Sequence, residues 1–113
     1  MISANISNSI RKKVYARDHY ACALCDSTKY IQVHHCIPRS AMGNSTMHNL
    51  ITLCMDCHAM CHGQKTAGNA DLFDDCYDAK EFADMAVVEY LADYYAPDWD
   101  PYTKAFWSFH KRE

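Results

Sequence analysis

Two Cys-x2-Cys pairs, Cys22/Cys25 and Cys54/Cys57, enclose a His34-His35 dipeptide and are followed by His58 and His62. A gap of two residues lets both sulfurs of a pair reach one ion, and four soft thiolates complete the tetrahedral shell of a structural Zn2+. One such pair alone could be a redox site. Two pairs around a His-His dipeptide point to zinc at Cys22, Cys25, Cys54 and Cys57, so any fold must bring these separate segments to one point. At 113 residues the chain has one modest core, and a metal cross-link supplies stability that a small core lacks. The seven cysteines are an odd number, no apolar leader precedes them, and no run approaches the roughly twenty apolar residues of a membrane helix. We therefore expect a reducing, cytoplasmic setting with thiols on metal and no membrane partner. Cys36, Cys61 and Cys76 read as small buried thiols, although Cys61, one helical turn after Cys57, could compete as a ligand.

Periodicity places these residues on elements. Ile10 and Val14, with Tyr15, predict an amphipathic helix over residues 7–18 opened by Ser7 as cap. The β-branched and aromatic run at 30–33 predicts a strand delivering His34 and His35 at its end, and 38–46, with Gly43, Asn44 and Ser45, predicts a loop. Residues 50–53 read as the returning strand. A short helix over 56–64 would then set His58 and His62 on one face. From 71 to 96 the pattern is helical, with Phe73, Cys76, Ala83, Val87, Tyr90, Leu91 and Tyr94 inward, Asp71 and Asp74 in the first turn, and Pro97 ending it. Asp100-Pro101 predicts the start of a second, aromatic-rich helix to about residue 109. The fold class is small α+β, divided at residues 66–70 into a core (1–66) and an acidic, aromatic helical extension packed on it (67–113).

The formal charge of −3 conceals an asymmetry. Residues 1–66 carry seven Lys and Arg against three acids, +4, whereas residues 67–113 carry four against eleven, −7. Only the first part suits phosphate. Its candidate phosphate contacts are Arg11, Lys12, Lys13, Arg17, Lys29, Arg39 and Lys65. Successive strand residues point to opposite faces, so His34 can hold a metal while His35 faces elsewhere. His34, His58 and His62 could hold one divalent ion and leave open positions for water and a phosphate oxygen, as a catalytic metal requires. An imidazole titrates near neutral pH, so His35 could take a proton from a water attacking phosphorus. His19, His48 and His110 have no such context and read as surface or packing residues.

Taken in order, Arg17-Asp18-His19-Tyr20 before Cys22-x2-Cys25, then Val33-His34-His35-x-Ile37-Pro38, then Asn49-Leu50-x2-Leu53-Cys54-x2-Cys57-His58 resembles the HNH endonuclease family. The resemblance covers about residues 11–65 and implies a ββα-metal core clasping one divalent ion. By it His35 is the general base, Asn49 braces the loop between the strands, and His58 closes the metal shell. Many members have Asp where this chain has His34. The His-His pair with a later His-x3-His is similar to colicin-type nuclease domains, which implies His34, His58 and His62 as ligands. The ion could be Mg2+, Mn2+, Ni2+ or Zn2+, with imidazoles favouring zinc, nickel or manganese over what a carboxylate site would take. The implied reaction is hydrolysis of DNA phosphodiesters, nicking or cutting both strands, with 5′-phosphate and 3′-hydroxyl ends, and Arg39 is expected near the scissile phosphate. The compact form resembles stand-alone members from bacteriophages and bacteria. The alternative is a catalytically inactive, zinc-stabilised nucleic-acid or protein-binding module. Trp99, Trp107, Tyr94, Tyr95 and Phe106 make the extension a candidate docking surface for a protein partner.

Overall fold

The computed structural model describes residues 6–41, 43–71 and 78–99, with only the backbone at Arg39. The elements are helix α1 (Asn8–Arg17), strand β1 (Gln32–His35), short 3-10 turns at Arg39–Ala41 and Met47–Asn49, strand β2 (Leu50–Leu53), helix α2 (Met55–Cys61) and helix α3 (Ala79–Tyr95). The architecture is α+β, with two antiparallel strands at its centre and helices on both sides.

The pairing register explains the layering. Gln32 lies opposite Leu53, Val33 opposite Thr52, His34 opposite Ile51 and His35 opposite Leu50. Side chains alternate along a strand, so Ile51 and Leu53 share one face of the hairpin with His34 and Gln32. That face meets α2 and α3, forming a core with Met60, Cys61, Ala79, Ala83, Val87 and Leu91. On the other face Leu50 packs with Ile6 and Val14, and Val33, Ile10 and Met47 lie against them. β2 is covered on both sides, which is why all four of its residues are buried.

α1 begins where the serine predicts: Ser7 Oγ accepts from the Ile10 N–H at 3.1 Å. Strand β1 starts two residues later than the β-branched run suggests, because Tyr30 takes a positive φ of 54° and its ring is exposed. His34 and His35 are the last paired residues of the strand, as expected. The last helix also starts later than expected. Asp78 caps it, its carboxylate accepting from the Glu81 N–H at 3.0 Å, so Asp71 is not in its first turn. The inward set is met at Ala83, Val87 and Leu91, while Tyr94 is exposed. Phe73, Asp74 and Cys76, and the helix expected from Asp100 with Phe106, Trp107 and His110, lie outside the described residues.

Residues 64–69, which overlap the boundary expected at 66–70, are fastened to the start of α2. Asn69 Nδ2 donates to the Asp56 carbonyl at 2.9 Å and Thr66 Oγ1 donates to the Asp56 carboxylate at 2.8 Å. A Cβ on Gly68 would stand 2.0 Å from that carboxylate, so the close approach requires glycine.

Candidate active site

The four cysteines meet between a turn and a helix start. After Cys22 the chain turns back through Asp26, with φ 68°, and the Cys22 N–H donates to the Ser27 carbonyl at 2.7 Å. The Ala23 N–H then bonds the Thr52 carbonyl at 2.9 Å, tying this turn to β2. Cys54 is the N-cap of α2, its sulfur accepting from the Cys57 N–H at 3.4 Å. The sulfurs of Cys22, Cys25, Cys54 and Cys57 lie within 4.8 Å of one another, and those of Cys25 and Cys54 are 3.6 Å apart. Thiolates at about 2.3 Å from a tetrahedral zinc are separated by about 3.8 Å, so the set fits that ion. Hydrogen bonding with Cys57 draws Cys22 down to about 4, while that bond to Cys22 pushes Cys57 up, and burial lifts Cys25 to about 11. A central cation is what allows all four to ionise together. Cys61 is not in this group; burial and the nearby Asp84 raise it to about 12, as a neutral core thiol.

His34, His58 and His62 form the second cluster, with candidate ligand nitrogens all within 4.8 Å of one another. The strand places His34 on the α2 face, and one turn of α2 separates His58 from His62, which caps the helix C-terminus. His58 Nε2 and His62 Nε2 are 3.1 Å apart, close to the about 3.3 Å between nitrogens on a tetrahedral ion. Gln32, two residues before His34 on the same strand face, accepts at Oε1 from His58 Nδ1. That bond leaves Nε2 as the donor atom for a metal. Burial, then the neighbouring His58 and His62, lowers His34 to about 3, and burial followed by His62 lowers His58. Neutral imidazoles are what a divalent ion needs.

His35, next on the strand, lines the same cavity as that cluster, and its Nε2 lies 3.1 Å from Ser45 Oγ. Asn49 is fully buried behind it. Its Oδ1 accepts from the Ile37 N–H at 2.7 Å, and its Nδ2 donates to the carbonyls of Ile37 at 2.9 Å and Asn44 at 2.8 Å. The side chain thus clasps both ends of the loop between the strands. Gly43 permits this closure, since a Cβ there would meet the Ile37 carbonyl oxygen at 1.8 Å.

A cavity of about 930 Å³ is lined by His34, His35, His58 and His62 together with Arg11, Lys80, Asp84, Cys36 and Cys61. Lys12, Lys13, Lys29 and Lys65 are exposed on the surface, and the side chain of Arg39 lies outside the described residues. Arg17 corrects the expected list of phosphate contacts. It is buried, and its guanidinium is consumed internally: Nε and Nη2 donate to the two Asp18 oxygens at 2.7 Å each, Nη2 also to the Leu50 carbonyl at 2.7 Å, and Nη1 to the Met47 carbonyl at 2.8 Å and Tyr95 Oη at 3.1 Å. No donor is left for DNA. Ser45, Gln32 and Lys80 went unremarked as site residues in the sequence, because a lone polar residue in a loop, strand or helix carries no spacing signal.

Residues 22–68 match the family model described as HNH endonuclease. This stretch is an HNH endonuclease domain. Its pattern of Cys, His and Asn supplies both clusters and the loop clasp. The chain is also 43% identical over 44 residues to the type IV methyl-directed restriction enzyme EcoKMcrA of Escherichia coli strain K12. That alignment covers 39% of this chain and 16% of the relative, so the chain spans only a small part of that enzyme's length. No solved structure matches the chain. Among the described residues no helix is long and apolar enough to cross a membrane.

Proposed function

We propose that the protein is a metal-dependent endonuclease that hydrolyses DNA phosphodiester bonds, with His35 as general base, Asn49 as loop brace, and His34, His58 and His62 holding one divalent ion. The observation that carries this reading is the meeting of three imidazoles at one point on the wall of the cavity that His35 also lines. The restriction activity named for the relative supports DNA as substrate. His35 accepts the proton of an attacking water, with Ser45 holding its ring. Asn49 keeps the loop that follows His35 closed, so the base stays aimed at the substrate. When bound, the divalent ion neutralises charge that builds on phosphate oxygens and on the leaving 3′ oxygen. Zn2+ on Cys22, Cys25, Cys54 and Cys57 has a structural part only. Arg11, Lys12, Lys13, Arg39 and Lys65 are the cations of residues 1–66 proposed to meet phosphates.

A protein partner for the C-terminal region would meet Phe82, Met85 and Val88, which are exposed on α3, rather than Tyr95 and Trp99. Tyr95 serves Arg17, and the Trp99 indole N–H donates to the His48 carbonyl at 2.6 Å.

The test is nicking of supercoiled plasmid with Mg2+, Mn2+, Ni2+ or Zn2+ added, beside a His35→Ala control. The expected result is cleavage by the wild type and none by the variant, with zinc content and fold unchanged. Equal cleavage by His35→Ala removes the base assignment. A folded, zinc-loaded wild type that cuts with none of the four metals favours the inactive binding module.

A further inference from the structure

The matched stretch 22–68 supplies the imidazoles, yet the cations on the cavity wall among the described side chains, Arg11 and Lys80, both lie outside it. Arg11 belongs to the basic helix α1. Lys80 belongs to α3, where it is the sole cation among Glu81, Asp84, Glu89 and Asp93. An approaching polyanion is repelled by such a helix everywhere except at this position.

Helix stability does not account for a lysine here. It is the second residue of α3, and a cation in the first turn opposes the helix dipole. Its bond to Asp84, Nζ to Oδ2 at 2.6 Å, runs from Lys to a later acid, the weaker order for a pair one turn apart. Both side chains are about half exposed, at 53% and 40%, so the pair positions the ammonium without locking it. The stem passes the residue after the α2 cap: Lys80 Cδ lies 3.6 Å from where a Cβ on Gly63 would stand. Gly63 follows His62 directly, so the lysine stem runs beside the end of the metal-site helix. Lys80 and His34 line the same cavity.

We propose that Lys80 is a phosphate-binding residue of the nuclease site, with Asp84 as its positioning residue. The C-terminal helix thereby contributes directly to substrate binding, an inference that rests on the DNA-hydrolase reading above. One DNA phosphate displaces Asp84 as the partner of Nζ while the neighbouring phosphodiester faces His35.

The experiment uses the full chain, zinc-loaded, carrying His35→Ala so that a duplex DNA oligonucleotide stays intact, with affinity measured across a salt series. Lys80→Gln is expected to weaken binding about five- to tenfold at low salt and to lower the slope of log K against log salt by about 0.9, the signature of one lost phosphate contact. Lys80→Arg is expected to restore most of both, and thermal melting of both variants should match the parent. With His35 present, Lys80→Gln should raise KM with kcat within about twofold. Wild-type cleavage together with an unchanged slope and affinity for Lys80→Gln overturns this inference alone. A wild type that neither cleaves DNA nor binds it in a salt-dependent way overturns the DNA-hydrolase reading and this inference with it.

Discussion

Every polar atom of the Asn49 side chain is engaged, and its partners are backbone groups that have no substitute once it is gone. Asn49→Ala leaves the Ile37 N–H and carbonyl unpaired in a half-buried place, which should cost about 2–3 kcal/mol. A urea denaturation midpoint on zinc-loaded protein checks that, and nicking rates measured below the midpoint should fall as well, since the clasp sets the loop beside His35. His34 gives a pH dependence of definite sign. Burial, reinforced by His58 and His62, holds its folded pKa near 3, below the ordinary 6.5. Above about pH 6.5 the imidazole is neutral whether folded or unfolded. Below that the unfolded chain binds the extra proton first, so stability is lost as pH falls from about 6.5 toward 3. Denaturation midpoints taken at successive pH values should show this fall, and His34→Gln should make it shallower. A slope equal to wild type would assign the acid sensitivity to other groups.

At the scale of elements, the Arg17-Asp18 pair is a joint rather than a surface feature. Asp18 accepts from Arg17, from the Thr52 N–H at 2.9 Å and from the Tyr90 hydroxyl at 2.7 Å, so two adjacent residues fix α1 to β2 and to α3. Burial acts against the guanidinium charge, but hydrogen bonds to Asp18 and Tyr95 outweigh it and hold Arg17 protonated. Asp18→Ala strands a buried cation and should destabilise by about 3–5 kcal/mol. Arg17→Lys keeps the charge but loses the fork, so it should lower the melting temperature while leaving the salt dependence of DNA binding in the remaining folded protein unchanged. A reduced salt slope with normal stability would return Arg17 to the phosphate contacts. This joint also marks where sequence legibility ended. The Cys-x2-Cys pairs, the consecutive histidines and the spacing of His58 and His62 are local patterns, so β2, the helix carrying those histidines and both clusters could be read directly. Arg17 resembled any cation on a basic helix, because its partners Met47, Leu50 and Tyr95 are distant in sequence. Tyr30 read as strand from its side chain, while its positive φ is imposed by the turn. Lys80 was hidden by the acidic sequence around it.

For the whole molecule, the two proposed metal sites should separate under chelation because their residues hold different things together. The cysteine set joins the turn after α1 to the start of α2, and Cys22, Cys54 and Cys57 are themselves buried in the core with Ile51, Leu53 and Met60. Removing that ion leaves four thiols in a core that must re-protonate, and binding energy there is folding energy. The histidine set lies at the cavity rim, where His62 is exposed and burial holds His34 and His58 below the ordinary imidazole range. Its ion should leave first and cost little stability. Titrating the protein with a chelator of graded strength should therefore give two stages: loss of nicking with the circular dichroism spectrum intact, then release of one zinc together with cooperative unfolding. Deleting residues 70–113 should resemble the second stage even with zinc present, since Ala79, Ala83, Val87 and Leu91 fill the same core and Tyr90 and Tyr95 serve the Arg17 joint. Insolubility of that fragment is the expected outcome. A soluble fragment with intact nicking would make the extension a docking appendage, and one with raised nicking would make it a restraint on the site.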